Sequence, residues 1–235
     1  MNLKKFRPLK PGQVQKILKD AGLLWLYCGN PRKEAPHAKL TGGNHSNGFA
    51  MVGKLLKEQS ETRMEFAEAL LATLTKNWRG QIDRVVGADT SSTDLAEDIA
   101  LLLGARHIRM SKIEDGSSKR QVWHPSNKPL AEGEVILHVE ELITTSFSAI
   151  EVRKGIKLAN PAIKTVGYVP YLPVVVERSD PDNRIVWVEK SRLLALLKLK
   201  IRNYEPGPAH CPYCLAGSEA LAPKKVDNWR RLLCQ

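Results

Sequence analysis

The stretch Glu134–Ile150, EVILHVEELITTSFSAI, decides how this chain is read. Val135–Val139 is an apolar run of the length of a buried strand. Glu140 and Glu141 follow directly, then the hydroxyl-rich Thr144–Ser148. From Ala149 onward Ala149, Val152, Ile156 and Ala159 fall at helical spacing. In a parallel α/β sheet, ligands bind outside the carboxyl ends of the strands, which is where the acidic pair is expected. A loop entering a helix offers unpaired backbone N–H groups and the positive end of the helix dipole. With the hydroxyls of Thr144, Thr145, Ser146 and Ser148 it forms a phosphate cradle by position. Two carboxylates beside such a cradle would repel a bare phosphate but suit sugar hydroxyls or a Mg²⁺ ion. The same residues also read as solvated strand-end charges followed by an ordinary loop, with Ser148 as the helix N-cap.

Upstream, the pattern repeats. Ile82–Val86 predicts a strand, Gly87–Ser92 a polar turn, and Thr93–Leu103 a helix with Leu95, Ile99, Leu102 and Leu103 on its apolar face, closed by Gly104. A strand starts again near His107 and Ile108. This is the order of a βαβ unit and predicts a parallel sheet. The spacing predicts a helix over 11–24 (Val14, Ile17, Leu18, Ala21) and another over Ser60–Trp78, ended by Gly80. Residues 28–48 read as loop, and 111–133 as a long exposed loop or hairpin. Further strands are expected at Thr165–Val169, Pro173–Val176 and Arg184–Val188, with the turn SDPDN between the last two, and a helix over Ser191–Leu199. At Glu205 the composition shifts to Pro, Gly, Cys and Lys. The expected organisation is one α/β domain over 1–204, its N-terminal hood at about 1–58, and a Cys-containing extension over 205–235.

Composition sets the outer limits. A chain of 235 residues with 43% apolar content can bury one large core. It has no uninterrupted apolar run of the roughly 18 residues a membrane span requires, and no apolar segment follows the basic N-terminus as in a signal peptide, so the cytoplasm is the expected location. The net charge of +11 draws anionic partners: nucleic acid, nucleotides or polyphosphorylated sugars.

VILHVEELITTSFSA resembles the phosphoribosyl-diphosphate motif of the type I phosphoribosyltransferases, above all the orotate phosphoribosyltransferases. VVGADTSSTDLAEDIALLLGAR resembles that family's strand, pyrophosphate loop and helix. LTGGNHSNGF resembles its N-terminal substrate loop. The resemblance covers roughly residues 12–176. It implies a Rossmann-like α/β fold with a mostly parallel central sheet flanked by helices. It implies transfer of ribose 5-phosphate from phosphoribosyl diphosphate to a nitrogenous base, with Mg²⁺ and release of pyrophosphate. By the same resemblance Glu140 and Glu141 hold the ribose 2- and 3-hydroxyls, and Thr144, Thr145, Ser146 and Ser148 wrap the 5-phosphate. Ala88, Asp89, Thr90 and Ser91 line the pyrophosphate, and Asn44, His45 and Ser46 face the base. Lys112, Lys119 and Arg120 lie where the family keeps a mobile basic lid; with Glu141 they are the expected catalytic residues. In relatives the lid often closes over a neighbouring subunit's site, which implies a homodimer. The chain departs from the family at Glu141, usually Asp, and at Ser146, usually Gly. It lacks glycines at Thr90-Ser91-Ser92 and carries Gly42-Gly43 in place of Ser-Gly. Glycine at position 146 would serve close approach to phosphate and a positive φ, where a Cβ is costly.

Cys211-Pro-Tyr-Cys214 supplies half of a zinc site, which needs four ligands in structural form. Cys28, His37 and Cys234 are candidate completions; without metal, the segment is a reduced knuckle packing the tail on the core. Trp25 and Trp187 are expected in the core or at an interface, and Trp123 as an anchor of the lid loop or a stacking residue. Lys224-Lys225, Arg230-Arg231 and Trp229 form either a solvated tail or a small nucleic-acid patch. The second functional reading is a non-catalytic sensor of phosphoribosyl diphosphate or nucleotide that binds nucleic acid through its basic surface.

Overall fold

The computed structural model describes residues 6–89, 92–115, 118–179, 188 and 191–234. In chain order the elements begin α1 (Pro11–Asp20), β1 (Leu24–Leu26), β2 (His37–Lys39), β3 (His45–Ser46), β4 (Gly48–Ala50), α2 (Val52–Glu58) and α3 (Ser60–Leu74). Next come β5 (Arg84–Val86), α4 (Thr93–Leu103), β6 (Arg106–Ile108), β7 (Met110–Asp115), β8 (Ser118–Trp123), β9 (Val135–His138), β10 (Glu140–Ile143) and α5 (Phe147–Ala159). The chain continues with β11 (Gly167–Tyr168), β12 (Tyr171–Ser179), β13 (Arg192–Lys200), β14 (Asn203–Tyr204), α6 (Pro212–Leu215), β15 (Ala220–Leu221) and α7 (Val226–Leu233). The expected turn SDPDN, the expected strand Arg184–Val188 apart from Val188, and Trp187 lie outside the described residues.

The described residues fall into two compact units. The first is drawn from Met1–Val14, Val52–Glu177 and Ile185–Lys198, the second from Gln15–Met51, Arg178–Arg184 and Leu199–Gln235. Residues 205–235 thus belong to the same unit as residues 15–51.

In the first unit a four-stranded sheet runs in the order β11-β9-β5-β6, with every pairing parallel. Val86 stands opposite both Ile108 and His138, which brings the carboxyl ends of β5, β6 and β9 level. Helix α4 has the expected bounds. Gly104 ends it in the left-handed region (φ 65°), and the N–H of Gly104 returns to the carbonyls of Ala100 and Leu101. The core joins Val86, Ile108 and Ile136 of the sheet to Val152 and Ile156 of α5, with Trp123 packed against them. Trp123 therefore anchors its loop.

Four expectations are corrected. Ser191–Leu199 is not a helix: β13 takes its place, at the edge of a second sheet in the order β10-β12-β13. The leucines favour a helix by propensity, but Leu197-Lys198-Leu199-Lys200 alternates buried and exposed, and sheet pairing overrides a weak local preference. The strand at 135 ends at His138. Val139 donates to the Val86 carbonyl at 2.9 Å, and Glu140 then opens a new strand parallel to β12. Residues 28–48 hold the short strands β2 and β3 and the start of β4. Helix α3 stops at Leu74 rather than Trp78; beyond it the Asn77 and Trp78 N–H groups both fold back onto the Leu74 carbonyl at 2.8 Å, a tightened closing turn.

Strands β7 and β8 form an antiparallel pair, with Met110 opposite Trp123. It lies hard against α5, because a Cβ on Gly155 would stand 2.1 Å from the Gln121 carbonyl oxygen. In the second unit β1 pairs with β4, and a further sheet runs β14-β3-β2-β15. Its core holds Trp25, Ala38, Leu221 and Leu232. Trp229 packs on that core and donates from Nε1 to the Gly22 carbonyl at 2.8 Å, and Arg231 pairs with Glu219.

The close approach at Gly155 yields a direct test. Gly155→Ala should cost about 1–3 kcal/mol through overpacking of hairpin on helix, read by urea denaturation. Gly12→Ala, where a Cβ meets nothing within 4 Å, should show no such loss.

Candidate active site

The centre of the site is the Ser92 hydroxyl. Ser92 is fully buried, and its N–H donates to the Ala88 carbonyl at 3.0 Å in the turn that enters α4. Gly87 makes this turn possible, since a Cβ there would lie 2.5 Å from the Ser92 carbonyl oxygen. Ser92 Oγ lies 2.7 Å from Glu140 Oε2, also contacts Glu141 Oε2, and accepts the Glu141 N–H at 3.1 Å. One hydroxyl proton cannot serve two carboxylates, so the arrangement closes when one carboxyl carries a proton. Glu140 is the candidate: it is 2% exposed, and burial pushes its pKa up to about 7, against the opposing hydrogen bonds from Ser92 and Glu141. Its other oxygen lies 2.9 Å from His138 Nε2, also buried. Ser92 and His138 were not singled out in the sequence. His138 carried a signal, as a polar residue in an apolar strand two positions before Glu140.

The loop after β10 leads into α5 through Ser146, which adopts φ 62° and ψ 7° and is the one non-glycine residue with positive φ among the described residues. The family's glycine falls at this position, so the backbone keeps the conformation while the side chain bears a strain of about 1 kcal/mol. Ser146 is buried, its Oγ has no hydrogen-bond partner, and its carbonyl accepts the first helical bond, from Ile150 N–H at 3.0 Å. Thr144 is half-buried, and Thr145 and Ser148 are exposed. An unpaired buried hydroxyl at a helix entrance fits a phosphate-oxygen acceptor.

Asp89 ties the expected pyrophosphate loop to the hairpin. Its N–H donates to Gln121 Oε1 at 2.9 Å, Gln121 Nε2 donates to its carbonyl at 3.1 Å, and its carboxylate accepts the Lys112 N–H at 2.9 Å. Ala88 is buried, and Thr90 and Ser91 lie outside the described residues. Lys112 and Lys119 both reach Glu114, at 2.5 and 3.9 Å, and Arg120 is exposed on β8.

The second unit holds the other predicted residues. Asn44 is exposed, and Ser46 is fully buried with its hydroxyl donating to the Gly48 or Arg202 carbonyl. His45 is buried beside His37, Cys211 and Cys214. Cys28 and Cys234 are exposed and outside that group.

No family profile matches the chain. The all-parallel sheet, with the acidic pair and helix-entrance loop beyond its strand ends, is the type I phosphoribosyltransferase fold. Solved structures share it. Orotate phosphoribosyltransferase from Aeropyrum pernix superposes with a TM-score of 0.56 at 15% identity, covering 79% of this chain and 93% of its own. A phosphoribosyltransferase from Corynebacterium diphtheriae gives 0.53 at 17% identity, covering 80% and 95%. In sequence the chain is related to orotate phosphoribosyltransferases: that of Desulforamulus reducens is 27% identical over 188 residues, 80% of this chain and 87% of the relative. The chain thus shares the phosphoribosyltransferase fold and is similar in sequence to orotate phosphoribosyltransferases over four fifths of its length.

The elevated Glu140 pKa sets the sign of a pH effect. The folded chain retains a proton that the unfolded chain releases in the ordinary carboxylate range, so this contribution to stability is full below that range and is lost as pH rises through about 7. Between pH 5.5 and 8 the melting temperature should therefore fall further in the native chain than in Glu140→Gln. The expected difference is about 4–8 °C, from ~2 kcal/mol lost over that range at ~2–4 °C per kcal/mol for a domain of this size; equal slopes would mean that Glu140 does not change its protonation there.

Proposed function

We propose that the chain transfers ribose 5-phosphate from phosphoribosyl diphosphate to a nitrogenous base, orotate by sequence kinship, with Mg²⁺ and release of pyrophosphate. The observation that carries this reading is the Ser92 hydroxyl held between Glu140 and Glu141. It supports the reading because two carboxyl groups converge on one hydroxyl, one accepting its proton and the other donating to its oxygen, and the same pair could bind the 2- and 3-hydroxyls of a ribose. Beside the pair, the entrance of α5 offers the unpartnered Ser146 hydroxyl, and with Thr144, Thr145 and Ser148 it would hold the 5-phosphate.

In the reaction the C1–O bond to pyrophosphate breaks and a C1–N bond to the base forms, through an oxocarbenium-like centre. The protein's part is positioning and charge stabilisation. By the same kinship, the Ala88–Ser91 segment would line the pyrophosphate. Lys112, Lys119 and Arg120 would neutralise it as it leaves, and the hairpin that carries them would exclude water. Glu140 and Glu141 offer the hard oxygen donors that suit Mg²⁺, which would supply charge neutralisation at the pyrophosphate when bound. Base recognition is assigned to the Asn44–Ser46 loop. A homodimer in the cytoplasm is proposed on the same kinship.

Pyrophosphate release from phosphoribosyl diphosphate and Mg²⁺, measured against a panel of bases, tests the reading. Release is expected with orotate, and a double variant Lys119→Ala with Arg120→Ala should lower kcat by about 100-fold, the scale of losing a charge-stabilising donor. Saturable binding with no release for any base would instead make the chain a non-catalytic sensor.

A further inference from the structure

The second unit brings together four side chains that lie far apart in the sequence. His37 Nε2 and His45 Nδ1 are 2.9 Å apart; Cys211 Sγ and Cys214 Sγ each lie 3.7 Å from His37 Nε2, and Cys214 Sγ lies 3.2 Å from His45 Nδ1. All four donor atoms fall within 4.8 Å of one another. Around a tetrahedral zinc with ordinary bond lengths, the edges come to about 3.4 Å between nitrogens, about 3.6 Å between nitrogen and sulfur, and about 3.8 Å between sulfurs. The four distances given lie within about half an ångström of these, and the remaining two edges are no longer than 4.8 Å. A bond between the two imidazoles accounts for one of the approaches but leaves unexplained why both sulfurs turn to His37 Nε2.

The surroundings prepare the donors for a metal. Ser218 Oγ donates to the Ala35 carbonyl at 2.7 Å, so it accepts from His37 Nδ1–H, 2.8 Å away. That bond fixes the tautomer and aims the Nε2 lone pair into the cluster, as an outer partner does for a metal-bound imidazole. Cys211 precedes Pro212 at the start of α6, and the backbone N–H groups of Cys214 and Tyr213 point at its sulfur. Gly217, with φ +75°, turns the chain back, and its N–H reaches the Cys214 carbonyl at 3.0 Å. Tyr213 stacks on His37 with ring centroids 5.3 Å apart, and Tyr27 covers Tyr213 at 4.4 Å. His37, His45 and Cys211 are buried.

We propose that His37, His45, Cys211 and Cys214 bind one Zn²⁺ ion as a closed structural site joining the β2–β3 segment to the Cys211–Cys214 knuckle. Two thiolates and two imidazoles in tetrahedral array select zinc over the hard, oxygen-seeking cations, and four protein ligands leave no position open for chemistry. The ion ties residues at both ends of the sequence into one unit. Where the proposed function assigns base recognition to the Asn44–Ser46 loop, zinc takes His45 as a ligand and leaves Asn44 as the exposed side chain of that loop.

The test uses the full-length chain purified without chelators, and none of its readouts depends on transferase activity. Elemental analysis should give about one zinc per chain, and X-ray absorption at the zinc edge should show two sulfur neighbours at about 2.3 Å and two nitrogen neighbours at about 2.0 Å. Cys214→Ser and His45→Ala should each lose most of the metal, while Cys28→Ser and Cys234→Ser keep it. Zinc below about one tenth per chain after growth in zinc-supplemented medium, or an absorption spectrum without sulfur neighbours, overturns the proposal. Both measurements on the wild-type chain decide the matter even if the ligand variants fail to fold.

Discussion

A single buried hydroxyl, that of Ser92, ties the entrance of α4 to the acidic pair that opens β10. It meets both carboxylates of the acidic pair and the backbone of Glu141. Its position depends on Gly87, which alone allows the turn after β5 to fold so closely on itself. From this contact the chain runs one way into α4 and the other into β10 and the entrance of α5. The acidic pair is held inward, one member near neutrality and the other half-buried, and the geometry of every adjacent loop follows. A buried carboxyl that shares its proton with a hydroxyl and a second carboxyl can exchange that hydroxyl for a sugar's without leaving a charge unpaired.

Much of this was legible in the sequence because the relevant signals are local. The helix over Thr93–Leu103 could be read from its apolar spacing and the following glycine. The acidic pair and the hydroxyl loop could be placed by their order between strand and helix. Ser146 is the sharper case: the backbone takes the left-handed conformation that a glycine would take without cost, so the family's glycine marks a backbone requirement that this chain meets with a strained serine. The sequence was misread where a local preference competed with a distant partner. Arg192–Lys200 is leucine-rich and helix-prone, yet its alternation of leucine and lysine was the strand signal. Ser92 and His138 escaped notice because their importance lies in what they touch, and those contacts require the sheet.

The second unit shows the same division between near and far. The CPYC pair announces half of a metal site within four residues, but its complement lies up to 177 residues away, on strands of two and three residues. No periodicity marks strands so short, and the histidines there read equally well as substrate contacts. The β7–β8 pair is intermediate. Its basic character is plain in the sequence, but its docking on α5 at Gly155 and its tie to Asp89 through Gln121 belong to packing.

The account rests on the acidic pair as the grip for a ribose. Calorimetric titration of phosphoribosyl diphosphate with Mg²⁺ into the full-length chain measures that grip directly. Saturable binding of one ligand per chain, lost when Glu140→Gln and Glu141→Gln are combined, is the predicted result; binding unchanged by the double substitution would contradict it.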